Sequence, residues 1–509
     1  MIFEKSLRLC YEFVKYGCYN GHMKQSFFFY DLETSGLSAR RDRIMQFAGQ
    51  RTDLELNPIG KPVNILVKMN DDTLPSPQAI MVTGILPQET VENGMSEAEF
   101  CRFLMDEVFI PGTIATGFNS VRFDDEFMRF LFWRNFYDAY EWQWKDGRGK
   151  WDLLDVVRMV RALRPEGINW PVDATGKATN RLELLTVANG ISHEAAHDAL
   201  SDVNALIAVT RLIREKQPKM YEYLFEMRDK NAVAKLVDLR SPKPFVYTSG
   251  KYPTAFEKTT VVIPIMAGKN GSVYVYDLRY NIENLLTGKV VLGDKTPEEA
   301  AGEPKILRRL WPAVKELKLN RCPAVAPLGV LEAQVNCMDG NGNSGEDGDG
   351  WGRIGLTKEV VLANLAVLQR RSDVIELMKT ERDLPDERDF SGMEAEGALY
   401  DAFLPKEDVW AAGVVRGMNE ERLADFMPEF KDERLPELFL RYKARNFAKS
   451  LSAEEEKSWQ KYRKERILSM ETDFLNGMRE ITEVGGERSE KVGRALDEWY
   501  KEVTKRLSE

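Results

Sequence analysis

The aromatic run Phe27-Phe28-Phe29-Tyr30 passes directly into Asp31-Leu32-Glu33-Thr34-Ser35-Gly36, whose Ser-Gly pair marks a turn. The run reads as a short strand with two carboxylates at its end. Further strands are expected at Ile44 to Thr52 and at Val63 to Met69. From there to about Lys216, helical patterns alternate with short apolar runs, the signature of an α/β domain. The clearest helix runs from Asp198 to Glu215, with Ala199, Val203, Leu206, Val209 and Ile213 near one face. Gln217-Pro218 punctuates its end.

At 509 residues the chain is too long for one ordinary core, and two or three domains are expected. Beyond Pro218 the texture changes to β-rich runs, Thr259 to Ile265 and Ser272 to Asp277, joined by a Gly-Lys-Asn-Gly turn. Asn341 to Gly350 is acidic and glycine-rich and reads as a flexible surface insertion. It lacks the ligand spacing and terminal Glu of an EF-hand loop. A second punctuated stretch, Arg382 to Met393, leads into a section helical in composition from about Ala395 to Ser508. The expected division is an N-terminal extension over 1–24, an α/β domain over 25–217, a β-rich domain over 218–386 with the 341–350 insertion, and a helical domain over 389–509. The extension lacks the continuous apolar core and cleavage site of a signal peptide. It is expected to be disordered; a short amphipathic helix, or a stretch upstream of a true start at Met23, are the other readings.

The apolar fraction of 43% and charged fraction of 30% are those of a soluble globular protein. No stretch approaches the roughly 18 apolar residues that a membrane helix needs. Cys10, Cys18, Cys101, Cys322 and Cys337 lie far apart without a CxxC pair, as expected of free thiols in a reducing compartment, here the cytoplasm. The net charge of −10 argues against a protein that coats nucleic acid non-specifically. It says little against a site filled by cations, because bound metal reverses the local field.

Side chains alternate across a strand, so Asp31 and Glu33 point to the same face. Two anionic groups held together repel unless something positive lies between them. A divalent metal is the usual answer, and hard oxygen ligands suit Mg²⁺ or Mn²⁺. A bare Asp-x-Glu at a strand end is far more often a solvated pair, so alone it decides nothing. The second element, Phe118-Asn119-Ser120-Val121-Arg122-Phe123-Asp124, follows the apolar segment Thr113 to Thr116 and precedes a helix containing Phe127, Met128, Phe130 and Leu131. A strand-to-helix turn there can aim Asp124 at the first pair, with Asp125 and Glu126 as adjoining rivals. The third element is His197-Asp198-Ala199-Leu200-Ser201-Asp202. Five residues turn about 140° on a regular helix, so His197 and Asp202 cannot share one face. With Asp202 on the helix and His197 in the loop entering it, His197 is accessible and suits a general base more than a rigid ligand.

In this order the three elements resemble the histidine subtype of the DEDD exonuclease superfamily: Asp-x-Glu, an Asn followed by an aromatic-Asp, then His-x4-Asp. Longer stretches resemble the bacterial exodeoxyribonuclease I family: PSPQAIMVTGILPQ (75–88), GFNSVRFDDE (117–126), WDLLDV (151–156), ALRPEGINWP (162–171) and RYKARNF (441–447). The resemblance runs from about Lys24 to the C-terminal helices. The N-terminal extension and the insertion near Asn341 depart from it, and neither touches a motif. It implies a ribonuclease H-like exonuclease domain, an SH3-like domain and a C-terminal helical domain that close around a single strand. It further implies that Asp31, Glu33, Asp124 and Asp202 hold two Mg²⁺ ions, for which Mn²⁺ can substitute, and that His197 is the base. The implied activity is 3′→5′ degradation of single-stranded DNA to deoxynucleoside 5′-monophosphates in DNA repair and recombination. Strand contacts are implied at Arg129, Tyr140, Trp144, Arg158 and Arg181, with Glu33 close to the terminal nucleotide. The implied protein partner is single-stranded DNA-binding protein, its acidic C-terminal tail docking near Arg164 and Tyr223; the family also suggests a monomer.

Apart from the resemblance, residues 122 to 170 offer the stacking platforms and cations that single-strand binding requires. Trp133, Tyr140, Trp142, Trp144 and Trp151 stand among Arg122, Arg129, Arg134, Lys145, Arg148, Arg158, Arg161 and Arg164. Acidic residues are interspersed, and at least half of these aromatics are expected to pack in the core. Two other functions compete. One is a shorter relative, such as a polymerase proofreading subunit, oligoribonuclease or ribonuclease T, against which the long chain beyond residue 217 argues. The other is a catalytically idle DNA-binding scaffold, whose expected sign is a missing ligand, whereas all five positions are filled.

Overall fold

The computed structural model describes residues 25–192, 199–288, 313–332, 350–382 and 394–505, together with residue 310 and two short N-terminal strands. These strands, β1 (Cys18–Tyr19) and β2 (His22–Met23), pair antiparallel inside the stretch expected to be disordered. The remainder of that extension lies outside the described residues, as do His197 and all of the 341–350 insertion except Gly350. The chain gathers into two compact units. One comprises Met1–Lys150, His193–Ile207 and Phe390–Glu509; the other comprises Trp151–Ser192 and Ala208–Asp389.

The first unit is organised on the strands β3 (Ser26–Thr34), β4 (Ile44–Thr52), β5 (Pro58–Leu66) and β6 (Thr113–Gly117), in the order β5-β4-β3-β6. A further strand, β7 (Gly149–Asp152), starts in this unit beyond β6. β3 pairs antiparallel with β4 and parallel with β6. A parallel neighbour requires a long crossover, and residues 67–112 supply one, with helices at Pro77–Thr83, Pro87–Asn93 and Glu97–Phe103. The aromatic run is explained by the central place of β3, since a strand covered on both faces is apolar at successive positions. Phe28 and Tyr30 pack into one cluster with Phe47, Phe109 and Trp142.

β5 departs from expectation: it starts at Pro58, immediately after the turn from β4, and ends at Leu66 instead of reaching Met69. It lies at the sheet edge and is largely exposed, so its first residues carry no apolar signal. The C-terminal section also departs. Helices occupy Lys406–Arg416, Glu420–Ala424, Leu435–Asn446, Ala453–Val484 and Glu487–Lys505, but residues 394–405 form turns. Buried side-chain pairing holds that segment. Glu396 accepts from Arg43 at 2.8 Å and pairs with Arg445 at 2.7 Å and Arg441 at 3.6 Å. Asp72, fully buried, pairs with Arg445 at 2.6 Å and Arg466 at 3.2 Å.

The second unit holds a five-stranded antiparallel sheet of β8 (Phe245–Thr248), β9 (Thr259–Ala267), β10 (Ser272–Asp277), β11 (Val314–Lys318) and β12 (Ala324–Pro327), in the order β11-β10-β9-β8-β12. Its core includes Val233, Phe245, Val262, Val275, Leu317 and Val325. Helices at Pro218–Glu226, Lys230–Leu236, Lys358–Gln369 and Ser372–Arg382 accompany the sheet, so this part is less purely β than its sequence texture suggests. Among the described residues no helix is long and apolar enough to cross a membrane. Cys101 and Cys322 are buried free thiols.

Candidate active site

β3 delivers Asp31 opposite Ala48 and Glu33 opposite Gln46 of β4. Asp202 lies in the first turn of the helix Ala199–Lys216. One carboxylate oxygen from each of Asp31, Glu33 and Asp202 lies within 4.8 Å of the others. Burial, and then the Asp202 carboxylate, push Asp31 up to about 8. That displacement records the cost of gathering acids where solvent reaches them only in part, and a cation between them would offset it. The turn leaving Glu33 is closed tightly. Ser35 N donates to the Arg43 carbonyl and Arg43 N donates to Ser35 Oγ, each at 2.8 Å. A Cβ on Gly36 would stand 2.4 Å from Asp42 Oδ2, so a side chain there would have to displace the Asp42 carboxylate, which accepts from Ser38 N at 2.7 Å.

The second motif turns from β6 into the helix Asp124–Arg134 through a short 3₁₀ turn at Ser120–Arg122. Asn119, at φ 65°, supplies the left-handed step in that turn. A Cβ on Gly117 would meet the Ser120 Cβ at 2.5 Å. Asp124 is buried as the first residue of the helix and stands outside the three-carboxylate group. Both of its rivals are engaged by protein donors. Asp125 Oδ1 accepts from the Tyr30 hydroxyl and Oδ2 from Gln143 Nε2, each at 2.6 Å, with Arg129 at 3.6 Å and Lys150 at 4.0 Å. Glu126 Oε1 accepts from Arg129 at 2.6 Å, and its other oxygen accepts from the Tyr400 hydroxyl. Burial and the Asp125 and Asp124 carboxylates raise Tyr30 well above the usual phenol range, so its hydroxyl stays a donor. Sequence reasoning missed Tyr30, Gln143 and Tyr400. Only Tyr30 carried a signal, as the polar end of an apolar run beside Asp31.

Trp142 is fully buried, and Trp133 and Trp151 are also core. Trp144 is 63% exposed and presents its ring to solvent. The Arg129 guanidinium sits 5.5 Å from the Tyr140 ring centre, and the Arg129 side chain is buried. In the second unit Arg158 pairs with Asp155 at 2.6 Å, while Arg181 is 66% exposed beside Glu183. Arg164 donates to the carbonyls of Leu163 and Val330, and the Tyr223 hydroxyl donates to the Val325 carbonyl at 3.1 Å.

A family model described as Exonuclease matches residues 28–210, an Exonuclease I SH3-like domain matches residues 228–339, and an Exonuclease I C-terminal domain matches residues 393–503. Exodeoxyribonuclease I of Haemophilus influenzae is 38% identical over 472 residues, covering 92% of this chain and 96% of that protein. The crystal structure of E. coli Exonuclease I in complex with a dA16 oligonucleotide superposes with a TM-score of 0.84 at 32% identity, covering 94% of this chain and 100% of that one. Two other similar structures are the zinc-bound form of an E. coli ExoI–ssDNA complex (TM-score 0.83, 32% identity, 95% and 100% covered) and SSB/Exonuclease I with an inhibitor (TM-score 0.81, 32% identity, 94% and 100% covered). The three matched domains, together spanning most of the chain, and the shared fold show that this protein belongs to the exodeoxyribonuclease I family of metal-dependent exonucleases.

Proposed function

We propose that this enzyme removes deoxynucleoside 5′-monophosphates from the 3′ end of single-stranded DNA, with two Mg²⁺ ions held by Asp31, Glu33, Asp124 and Asp202, and with Mn²⁺ able to substitute. The observation that carries this reading is the convergence of Asp31, Glu33 and Asp202 within 4.8 Å, with Glu33 buried and the other two partly so, which pushes Asp31 up to about 8. The donors are all carboxylate oxygens, the set that hard divalent cations prefer. When bound, such a pair of ions supplies charge neutralisation at the reacting phosphate and a lowered pKa for the attacking water. Asp124 is assigned as the fourth carboxylate from its place in the family motif, beside Asp125 and Glu126, whose oxygens serve protein donors. Asp124 and Asp202 each occupy the first turn of a helix, where the positive end of the helix dipole favours a carboxylate.

His197, which lies outside the described residues, takes the proton from the attacking water. Trp144 stacks on a base and Tyr140 and Arg129 flank it, while Arg158 and Arg181 hold backbone phosphates and Glu33 lies close to the terminal nucleotide. That E. coli Exonuclease I is solved with a dA16 oligonucleotide and with single-stranded DNA supports a single-strand substrate. Arg164 and Tyr223 receive the acidic C-terminal tail of single-stranded DNA-binding protein, a partner that the solved SSB/Exonuclease I complex supports. The enzyme acts as a cytoplasmic monomer in repair and recombination. Its nuclease, SH3-like and helical domains span about 25–217, 218–386 and 389–509. End-labelled single-stranded DNA, duplex DNA and RNA, each incubated with Mg²⁺ and with chelator, test the reading. Chelator-sensitive release of mononucleotides from the 3′ end of the DNA single strand is expected. Preference for RNA, or tight binding without cleavage, would overturn it.

A further inference from the structure

We propose that Tyr30, Asp125 and Gln143 are positioning residues that lock the spacing of the metal carboxylates and tie it to the segment carrying Trp144. Tyr30 directly precedes Asp31 in β3, and Asp125 directly follows Asp124 in the helix Asp124–Arg134. The 2.6 Å bond from the Tyr30 hydroxyl to Asp125 Oδ1 therefore joins the two elements that bear those carboxylates. Both partners are almost completely buried, so neither touches substrate, and each acts through its neighbour. A buried bond of this kind defines a distance, because breaking it strands an acceptor in a dry site.

The other oxygen of Asp125 extends the tie. It accepts from Gln143 Nε2 at 2.6 Å, and Gln143 closes the 3₁₀ turn Glu141–Gln143 immediately before Trp144. Gln143 Oε1 in turn accepts from Arg129 at 3.3 Å and from Lys150 at 3.2 Å. Hydrogen bonds thus run from the residue beside Asp31, through the residue beside Asp124, to Gln143, which precedes the exposed Trp144, and to Arg129, which sits against the Tyr140 ring. A base stacked on Trp144 and a phosphate at the metal carboxylates are held in one register by this chain. The inference rests on the assignment of Asp124 as the fourth carboxylate.

The test is steady-state cleavage of a labelled single-stranded oligonucleotide with Mg²⁺ titrated, using full-length Tyr30→Phe, Gln143→Leu, Asp125→Asn and Asp124→Ala. Melting midpoints are recorded, and rates are taken well below the lowest of them. Tyr30→Phe should lower kcat about tenfold and raise the half-activating Mg²⁺ concentration several-fold, with KM for the oligonucleotide near parental. Gln143→Leu should raise KM about tenfold and leave the Mg²⁺ requirement near parental. Asp125→Asn keeps an oxygen for Tyr30 and loses the Gln143 acceptor, so it should follow Gln143→Leu even if Tyr30→Phe does not fold. Parental kcat and Mg²⁺ requirement in folded Tyr30→Phe, or a lowered midpoint as its only change, would overturn the inference, as would an Asp125→Asn that does not raise KM. A fully active Asp124→Ala would instead sink the ligand assignment itself, so the two failures are told apart.

Discussion

Replacing Glu396 by Gln probes how the C-terminal segment is fastened to the nuclease sheet within the first unit. Glu396 is 2% exposed and faces Arg43 at 2.8 Å, Arg445 at 2.7 Å and Arg441 at 3.6 Å. Gln preserves shape and one acceptor but removes the charge, leaving Asp72 as the buried acid among these arginines. Breaking a buried pair by removing one partner costs about 3–5 kcal/mol, and the retained acceptor puts this case near 3. At about 2–4 °C per kcal/mol for a unit of this size, the melting midpoint should fall by about 6–12 °C at pH 7. Burial alone would raise the Glu396 carboxyl, but Arg445, Arg43 and Arg466 overcome it and hold it well below the usual range. A depressed carboxyl contributes its stability in full above its unfolded value, near 4.3, and loses it as pH falls through the folded value. The gap between parent and variant should therefore be constant from pH 6 to 8 and close steadily below about pH 4. Circular dichroism melts across that range measure it. A variant melting within about 2 °C of the parent at pH 7, or a gap undiminished at pH 3, would refute the argument.

His197→Ala should lose about 10²–10⁴-fold in kcat while single-strand affinity stays near parental, measured by turnover beside filter binding. Trp144→Ala, which removes an exposed ring and no core contact, should weaken single-strand binding by about 1–3 kcal/mol by fluorescence anisotropy and leave the melting midpoint unchanged. Saturating Mg²⁺ should raise the melting midpoint of the parent, since ligand at 100 times its Kd adds about 2.7 kcal/mol. Asp202→Asn should abolish that rise together with chelator-sensitive cleavage.

The parts of the fold legible from sequence are those whose cause is local. The run Phe27–Tyr30 announces a strand buried on both faces, and the spacing of Asp31 and Glu33 on it requires that they share a side. The five-residue step from His197 to Asp202 likewise keeps the two off one helix face; Asp202 does lie on a helix, while His197 lies outside the described residues. Edge strand β5 was mislocated because an exposed strand has little apolar pattern to read. Sequence alone left Asp124 level with Asp125 and Glu126, because the partners of the latter two come from other elements. Asp125 is engaged by Tyr30 and Gln143, and Glu126 by Tyr400, and sequence spacing gives no sign of such partners. The turns at 394–405 were read as helix for the same reason: composition favours a helix, and a buried carboxylate 353 residues from its arginine partner decides otherwise.

The pairing of Arg43 with Glu396 also joins segments made far apart in time. At a synthesis rate of about 5–20 residues per second, Glu396 leaves the ribosome roughly 20–70 s after Arg43. Throughout that interval Arg43 and Asp72 lack Glu396, Arg445 and Arg466. The strand bearing Asp31 and Glu33 is among the first segments made, yet the clamp behind its closing turn is among the last. The turn behind Asp31 and Glu33 therefore gains its buried counter-charges only once the final helices have been translated.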